Sequence, residues 1–377
     1  MLFSLHDEQL AMQASIGAFQ RDACSVETVQ RIFNSEDGYD GALWRELCNL
    51  GAVAVALPAE HGGMGLELFD LALVAESLGA GAMPGPFLGH ALASLAVAWC
   101  GDDEQRARWL PKLANGELLA TFALAEDEGR WQPEEWTMEL GGRVRGLKLF
   151  VPYAAQSQLL VVGLKGGLLG IVESAPDTVR CTPTDAVDRT RRVGSVEFHG
   201  SPAELLRGST PELTQRWRDA ALVLLAADAF GGASRCVQMA TEYANTREQY
   251  GAKIGEFQGL KYQIVDTACA VEPSRGLYWH SAHTFTHSPQ ESGRLAALAK
   301  AHLTEVYVQA ARNMIEVHGG IGYTWEFHAH IYLKRAMFDY AFLGSADLHR
   351  RRAIELAGWG RRDDRARPPP SIPLTDR

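Results

Sequence analysis

One acidic side chain lies within an otherwise apolar stretch of the chain. Asp228 sits in the segment 220–230, where every other residue is alanine, leucine, valine or phenylalanine. A charge in such surroundings is costly unless it is paired or used in chemistry. A buried carboxylate can remove a proton from a substrate, which makes Asp228 a candidate general base. The alternative that stays open is a structural acid, satisfied by a neighbouring arginine or by backbone N–H groups.

A second group of residues could hold a phosphorylated ligand. Arg247 offers a rigid fork of donors that suits a pyrophosphate, and Gln258 follows it closely in the chain. Farther on, Gly319, Gly320 and Gly322 would let the backbone approach a ligand closely. Each feature also has an ordinary explanation, because a lone arginine often forms a surface salt bridge and paired glycines often end a helix.

Three successive parts of the chain must position these residues. Residues 1–118 carry apolar side chains at helical spacing, which predicts a helical domain. Residues 119–207 contain short β-type runs separated by glycine and proline, which predicts a small β domain. The predicted strands lie at 120–124, 147–151, 159–164, 168–172 and 195–198.

Long helical patterns dominate the remainder of the chain. Residues 208–361 predict a C-terminal four-helix bundle, and the Pro-rich, charged segment 362–377 predicts a flexible tail. The fold class is therefore α+β and mainly α. The four helices are expected at 211–243, 258–282, 293–318 and 328–357.

Composition narrows the classes of function. The 377 residues are 46% hydrophobic and 22% charged, with a net charge of -10, which is typical of a soluble globular protein and argues against a nucleic-acid partner. The six cysteines show no metal-binding spacing, so no metal is expected. No signal segment and no uncharged apolar run of about 20 residues is evident, so we expect a cytoplasmic protein without membrane contact.

Two motifs of the bundle carry a resemblance to a known family. The segment TREQYGAKIGEFQ at 246–258 resembles the acyl-CoA dehydrogenase signature R-x-x-F/Y-G-x-x-I-x-x-F-Q. The segment VHGGIGYTWE at 317–326 is similar to the family's G-G-x-G-Y loop near the adenosine end of FAD. The resemblance implies FAD as cofactor, with Arg247 and Gln258 touching it across a subunit interface. It also implies the family's order of helical domain, β domain and four-helix bundle.

The β domain resembles the family more loosely. FALAED at 122–127 and KLFVP at 148–152 are similar to F-A-L-T-E-P and K-x-W-I-T, but Ala125 and Pro152 replace the two threonines near the reactive end of the flavin. The sequence around Gly129 to Trp131 most resembles the branch of the family that acts on steroid and other bulky acyl groups. Members of that branch form heterotetramers. The resemblance implies FAD contacts at Leu124, Ala125, Phe150, Pro152, Arg247, Phe257, Gln258, Glu316, Gly319, Gly320 and Ser345.

The family's usual catalytic glutamate has no counterpart here. Its position in the Y-E-G-T segment is taken by Leu343, and the family's second position for a base falls near Ala221. Asp228 lies two helical turns beyond Ala221 and replaces glutamate in an A-A-E-x-x-G-G pattern. The resemblance therefore makes Asp228 the predicted base, whereas Asp219 faces the opposite side of the helix.

Three hypotheses remain open at this point. The first is an FAD-dependent acyl-CoA dehydrogenase that introduces an α,β double bond into a bulky acyl-CoA and passes electrons to an electron-transfer flavoprotein or similar acceptor. The second is a catalytically silent subunit that completes the FAD site of a partner through Arg247 and Gln258. The third is a flavin monooxygenase on the same fold. Whether the partner is a second copy or a paralogue is also open.

Overall fold

The computed structural model describes residues 4–359, so the predicted tail at 362–377 lies outside the described residues. Six helices form the first part of the chain, and α4 and α5 are apolar on nearly every side and almost wholly buried. The helices are α1 (Asp7–Ala23), α2 (Val26–Asn34), α3 (Gly41–Asn49), α4 (Leu68–Ala80), α5 (Phe87–Cys100) and α6 (Asp103–Ala114).

Two small sheets form the middle part. One sheet has the strand order β1-β3-β4-β7 with β1 and β3 parallel, and the other has the antiparallel order β2-β6-β5. The sequence does not predict β5 and β7, because both are short and carry no buried apolar run. The strands are β1 (Ala120–Ala123), β2 (Arg143–Pro152), β3 (Leu159–Leu164), β4 (Leu168–Glu173), β5 (Val179–Pro183), β6 (Val193–Pro202) and β7 (Glu204–Leu205).

Helices dominate the last part, with one small hairpin after the first of them. Two of the four predicted helices are each broken in two, which corrects the sequence prediction. Pro273 separates α8 from α9, and the chain turns at 342–345 between α11 and α12. The elements are α7 (Pro211–Thr246), β8 (Glu248–Gln249), β9 (Ala252–Lys253), α8 (Gln258–Val271), α9 (Ser274–His287), α10 (Pro289–His318), α11 (Ala329–Ala341) and α12 (Ala346–Leu356).

The helix α7 lies at the centre of the molecule, against α4 and α10. It is long and apolar enough to cross a membrane by composition, but 83% of its most apolar window is buried inside the protein, as in a core helix. Contact with α4 depends on small residues, since a Cβ on Gly231 would lie 1.9 Å from the carbonyl oxygen of Glu76. The predicted α+β, mainly α fold class is confirmed.

Candidate functional site

The carboxylate of Asp228 is held by two arginines. Its Oδ1 lies 2.6 Å from Nη2 of Arg335 and 2.6 Å from Nη2 of Arg191, and its Oδ2 accepts from Nε of Arg335 at 3.0 Å. Asp228 is 2% exposed. Arg191 also pairs with Asp339 of α11, and Nη1 of Arg335 donates to the hydroxyl of Thr190 at 3.0 Å. This cluster joins the β5–β6 loop to α7 and α11.

The two arginines weaken Asp228 as a proton acceptor. Burial alone would raise the pKa of Asp228, but the charges of Arg191 and Arg335 outweigh burial and lower that pKa to about 2. A base works best when its pKa lies near the operating pH. Burial instead raises the pKa of Asp339, so any shared proton of the cluster rests on Asp339 rather than on Asp228.

The cavity beside Asp228 is small. Its volume is about 20 Å³, which is room for about one water molecule. Its walls come from α3, α4, α7 and the loop at 83–86, with Arg191 and Arg335 at one side. The contacts of Asp228 thus match the alternative prediction, a structural acid that is paired with neighbouring arginines. They do not favour its predicted role as the base.

Buried cations hold the loop at 342–345, where the family resemblance places a base. Leu343 is 0% exposed, and its carbonyl accepts from Nη2 of Arg218 at 3.1 Å and lies 3.2 Å from Nε2 of His349. Nζ of Lys300 donates to the carbonyl of Tyr340 at 3.1 Å. Burial lowers the pKa of Lys300 to about 7. Sequence reasoning missed Arg218 and Lys300, although both are charged residues on the apolar face of a helix.

The predicted flavin contacts in the β domain are mostly closed to solvent. Leu124 is 2% exposed and Ala125 is 0% exposed, and Pro152 is also buried. The carbonyl oxygens of these three residues already accept hydrogen bonds within the chain. The carbonyl of Leu124 accepts from Nζ of Lys148, and that of Ala125 accepts from the N–H of Leu149. The carbonyl of Pro152 accepts from the hydroxyl of Thr121. Phe150 differs, because it is 40% exposed and has a left-handed backbone with φ of 54°.

The predicted flavin contacts in the bundle are, by contrast, open to solvent. The side chain of Arg247 forms no ion pair with any other residue between 4 and 359, and its carbonyl accepts from the N–H of Ile254 at 2.9 Å in the β8–β9 hairpin. The helix α8 begins at Gln258 with no side-chain cap, which leaves backbone N–H donors free. The exposed members of this group are Arg247, Phe257, Gln258, Glu316, Gly319 and Gly320.

The glycine loop presents bare backbone at this surface. A Cβ on Gly319 or on Gly320 would meet no other atom within 4 Å, and Gly319 has a φ of 63°. Oε2 of Glu316 accepts from Nε2 of Gln263 at 2.6 Å, so this acid is tied to α8. Ser345 is exposed as well, and its hydroxyl caps α12 by accepting from the N–H of Leu348. Within the described residues, no group of three or more His, Cys, Asp or Glu is placed to hold a metal.

Comparison with known proteins identifies the family. The family profile described as acyl-CoA dehydrogenase, N-terminal domain, matches residues 6–117, and the profile for the C-terminal domain matches residues 221–356. The chain belongs to the acyl-CoA dehydrogenase family. Members of this family are FAD-dependent oxidoreductases. The predicted flavin contacts in the β domain and in the bundle can therefore each be compared with the chemistry of FAD.

Several acyl-CoA dehydrogenases are similar over almost the whole chain. The acyl-CoA dehydrogenase IpdE2 of Mycolicibacterium smegmatis is 32% identical over 343 residues, which are 90% of this chain and 96% of the relative. IpdE2 of Mycobacterium tuberculosis is 30% identical over 88% of this chain and 91% of its own length. The solved structure of a variant of the Tcur3481-Tcur3483 steroid ACAD is 27% identical, with a TM-score of 0.87 over 94% of this chain and 98% of that chain.

The two sets of acyl-CoA dehydrogenase residues differ in their fit to FAD. The exposed set combines a guanidinium without an ion pair in the described part of the chain, open glycine backbone and free N–H groups at a helix start, which suits a pyrophosphate and its neighbours. The set in the β domain fits less well, because Leu124, Ala125 and Pro152 are buried and the last two lack the hydroxyls of the family pattern, although Phe150 is exposed. The residues that suit an FAD pyrophosphate therefore face outward from this chain rather than toward its interior.

Proposed function

We propose that this chain is a subunit of an acyl-CoA dehydrogenase for bulky, steroid-derived acyl-CoA thioesters, and that it completes the FAD site of a paralogous catalytic subunit. The observation that carries the proposal is the opposite exposure of the two residue sets. Arg247 and Gln258 face solvent, whereas Leu124 and Ala125 are at most 2% exposed. A residue that touches a ligand has to be reachable in the ligand-free chain, and burial against a partner can only reduce its access.

The outward residues supply binding rather than proton transfer. Arg247 would place its guanidinium against the pyrophosphate, with Gln258 and the N–H groups at the start of α8 beside it. Bound FAD supplies the acceptor for the hydride that leaves the acyl chain in this family. Exposed apolar side chains beside this face, such as Phe257 at 41% and Tyr262 at 56%, are suited to burial against another subunit.

The positions where the family pattern places a base hold no free proton acceptor in this chain. Leu343 and Ala221 cannot take a proton, and Asp228 is held by Arg191 and Arg335 beside a cavity of about 20 Å³. The catalytic base would therefore come from the paralogue. The 27% identity to a steroid ACAD supports the substrate class, and an electron-transfer flavoprotein or similar protein would accept the electrons.

Co-expression with each acyl-CoA dehydrogenase paralogue of the same cells tests this proposal. The chain purified alone should be colourless, and the assembly should contain FAD that a steroid acyl-CoA bleaches under anaerobic conditions. Arg247→Ala should weaken FAD binding at least about tenfold, since hydrogen bonds to charged groups contribute about 1.5–3 kcal/mol. The matched control is Arg180→Ala, which removes an exposed arginine of β5.

A different result would restore the first hypothesis. If the chain alone carried one FAD per subunit, and an acyl-CoA bleached that FAD, this chain would itself be an active dehydrogenase. If the assembly formed but Arg247→Ala kept its FAD as tightly as Arg180→Ala, this chain would not complete the FAD site through the exposed set.

A further inference from the structure

In the acyl-CoA dehydrogenase pattern, each chain contributes an inner part of an FAD site, which is called its half-site here. The pattern places the flavin ring of this half-site between two groups of residues, which are called walls. One wall is the pair Ala125 and Pro152, where the family has the threonines near the reactive end of the flavin. The other wall is Leu343, where the family has the base that acts on the bound acyl group. Two aromatic residues neighbour these walls in the sequence: Phe150 lies two positions before Pro152, and Phe342 lies directly before Leu343.

The indole of Trp131 bridges these two rings. Its centroid lies 5.8 Å from that of Phe150, with an angle of 26° between the planes, and 5.2 Å from that of Phe342, with an angle of 69°. Both are direct aromatic contacts. A planar ring inserted between two others needs roughly 7 Å between their faces, because each carbon contact takes about 3.5 Å. A flavin ring placed between Phe150 and Phe342 would therefore have to displace the indole of Trp131.

The wall that contains Phe342 is not free to move away from the indole. Phe342 is 4% exposed and stacks on Phe338 at 4.7 Å, and the neighbouring Leu343 is held through its carbonyl by Arg218. On the other side, Phe150 lies at an irregularity in the pairing of β2 with β6. Phe150 and Leu343 both adopt left-handed backbones, with φ of 54° and 61°, which large side chains rarely do. Phe150 contacts Trp131 directly, and Leu343 follows Phe342, the second ring that contacts Trp131.

We propose that Trp131 closes this chain's own half-site to the flavin ring. This inference rests on the proposed function, in which the exposed residues of this chain bind the FAD of a partner subunit. It adds the residue that keeps flavin out of this chain's own half-site. An assembly of this chain with its paralogue then holds one flavin per pair of subunits. The reaction of this assembly takes place at the FAD site whose inner residues are supplied by the paralogue.

The probe for this closure is lumiflavin, the flavin ring without its dinucleotide. Lumiflavin needs no contact from the pyrophosphate-binding residues, so its binding reports only on the space between the walls. The assembly is first saturated with FAD, which occupies the complete site, and is then titrated with lumiflavin while flavin fluorescence is followed. The flavin content after denaturation gives the number of bound flavins per pair.

The wild-type assembly should hold one FAD per pair and take up no lumiflavin. Trp131→Ala should take up one lumiflavin per pair, at least about tenfold more tightly than the wild type. Phe342→Ala opens the gap from the other wall and should do the same, which keeps the test decisive if one variant fails to fold. Trp359→Ala removes an indole that is 72% exposed and should behave as the wild type.

Two results would overturn the closure. One is a wild-type assembly that binds as many FAD molecules as it has subunits. The other is a pair of folded variants, Trp131→Ala and Phe342→Ala, that exclude lumiflavin as the wild type does. Failure of the proposed function has a different signature, because Arg247→Ala would then leave the FAD content unchanged whatever lumiflavin does.

Discussion

The carboxylate of Asp228 matches the family pattern of a base, whereas its contacts are those of a buried ion pair. Its carboxylate pairs with two arginines that are themselves 6% and 2% exposed, Arg191 and Arg335. Water cannot solvate these guanidinium groups, so each depends on an acid of the protein. The position also joins three separate segments, which makes Asp228 a structural centre of the domain junction.

Asp228→Asn should destabilise the protein by about 3–5 kcal/mol, because it leaves two buried cations without their shared anion. Urea unfolding of the assembly measures the change. The control Asp347→Asn removes a carboxylate that is 80% exposed and should change stability by less than about 1 kcal/mol. Unchanged stability together with loss of acyl-CoA oxidation would instead identify Asp228 as the base.

Some contacts between helices and strands depend on a buried polar side chain in one particular protonation state. His90 of α5 joins α6 to β1: its Nε2 lies 2.9 Å from the carbonyl of Leu113, and its Nδ1 accepts from the N–H of Ala120 at 3.2 Å. These two bonds require a neutral imidazole with the proton on Nε2. Burial accordingly lowers the pKa of His90 to about 4.

The stability contributed by His90 should depend on pH in one direction. The unfolded chain binds a proton near pH 6.5 and the folded chain only near pH 4, so this stability is complete above about pH 6.5 and is lost as pH falls toward 4. The expected loss is about 1.4 kcal/mol per pH unit within that window. His90→Gln should reduce the slope of the unfolding free energy against pH in that window, whereas His199→Gln, at an exposed position, should not.

The packing of α4 on α7 gives a second prediction at this scale. Gly231→Ala should destabilise the protein by about 1–3 kcal/mol, because its Cβ would lie 1.9 Å from the carbonyl oxygen of Glu76. Gly276→Ala in α9 is the matched control, since its Cβ would meet nothing within 4 Å. This control should be neutral or up to about 1 kcal/mol stabilising. Equal midpoints of thermal unfolding for the two variants would contradict the prediction.

At the scale of the whole molecule, exposed aromatic and apolar side chains accompany the exposed residues that are predicted to contact FAD. Tyr250 is 97% exposed, Tyr323 is 71% exposed and Val265 of α8 is 49% exposed. Such a concentration of apolar surface favours association with another chain. The same face would then bind both the partner and, through Arg247, the partner's cofactor.

Tyr262→Glu should break this association, because it places a charge at the centre of the proposed interface. Light scattering of the co-expressed proteins should show separated subunits, with little flavin bound. Val187→Glu, which changes a side chain that is 62% exposed in the β5–β6 loop, should leave the assembly intact. An intact assembly with Tyr262→Glu would place the interface elsewhere.

Much of this architecture is contained in local sequence patterns. Helical spacing before residue 119 and after residue 208, and short β-type runs between them, determine the element types because each depends on neighbouring residues. The segments at 246–258 and 317–326 determine the family, since few other folds need an arginine and open glycines at that separation. The helix break at Pro273 is a local effect of proline that the sequence pattern could have predicted, whereas the turn at 342–345, with its left-handed Leu343, depends on packing.

The roles of individual site residues were decided only by the tertiary structure. The sequence determined that Asp228 is an acid in an apolar helix and that Leu343 cannot be a base. It could not show that Arg191 and Arg335 converge on Asp228 from segments 37 and 107 residues away in the chain. Nor could it show that Trp131 contacts both Phe150 and Phe342. Partners distant in sequence meet only when the domains pack, and these contacts set the pKa, the access and the space at each position.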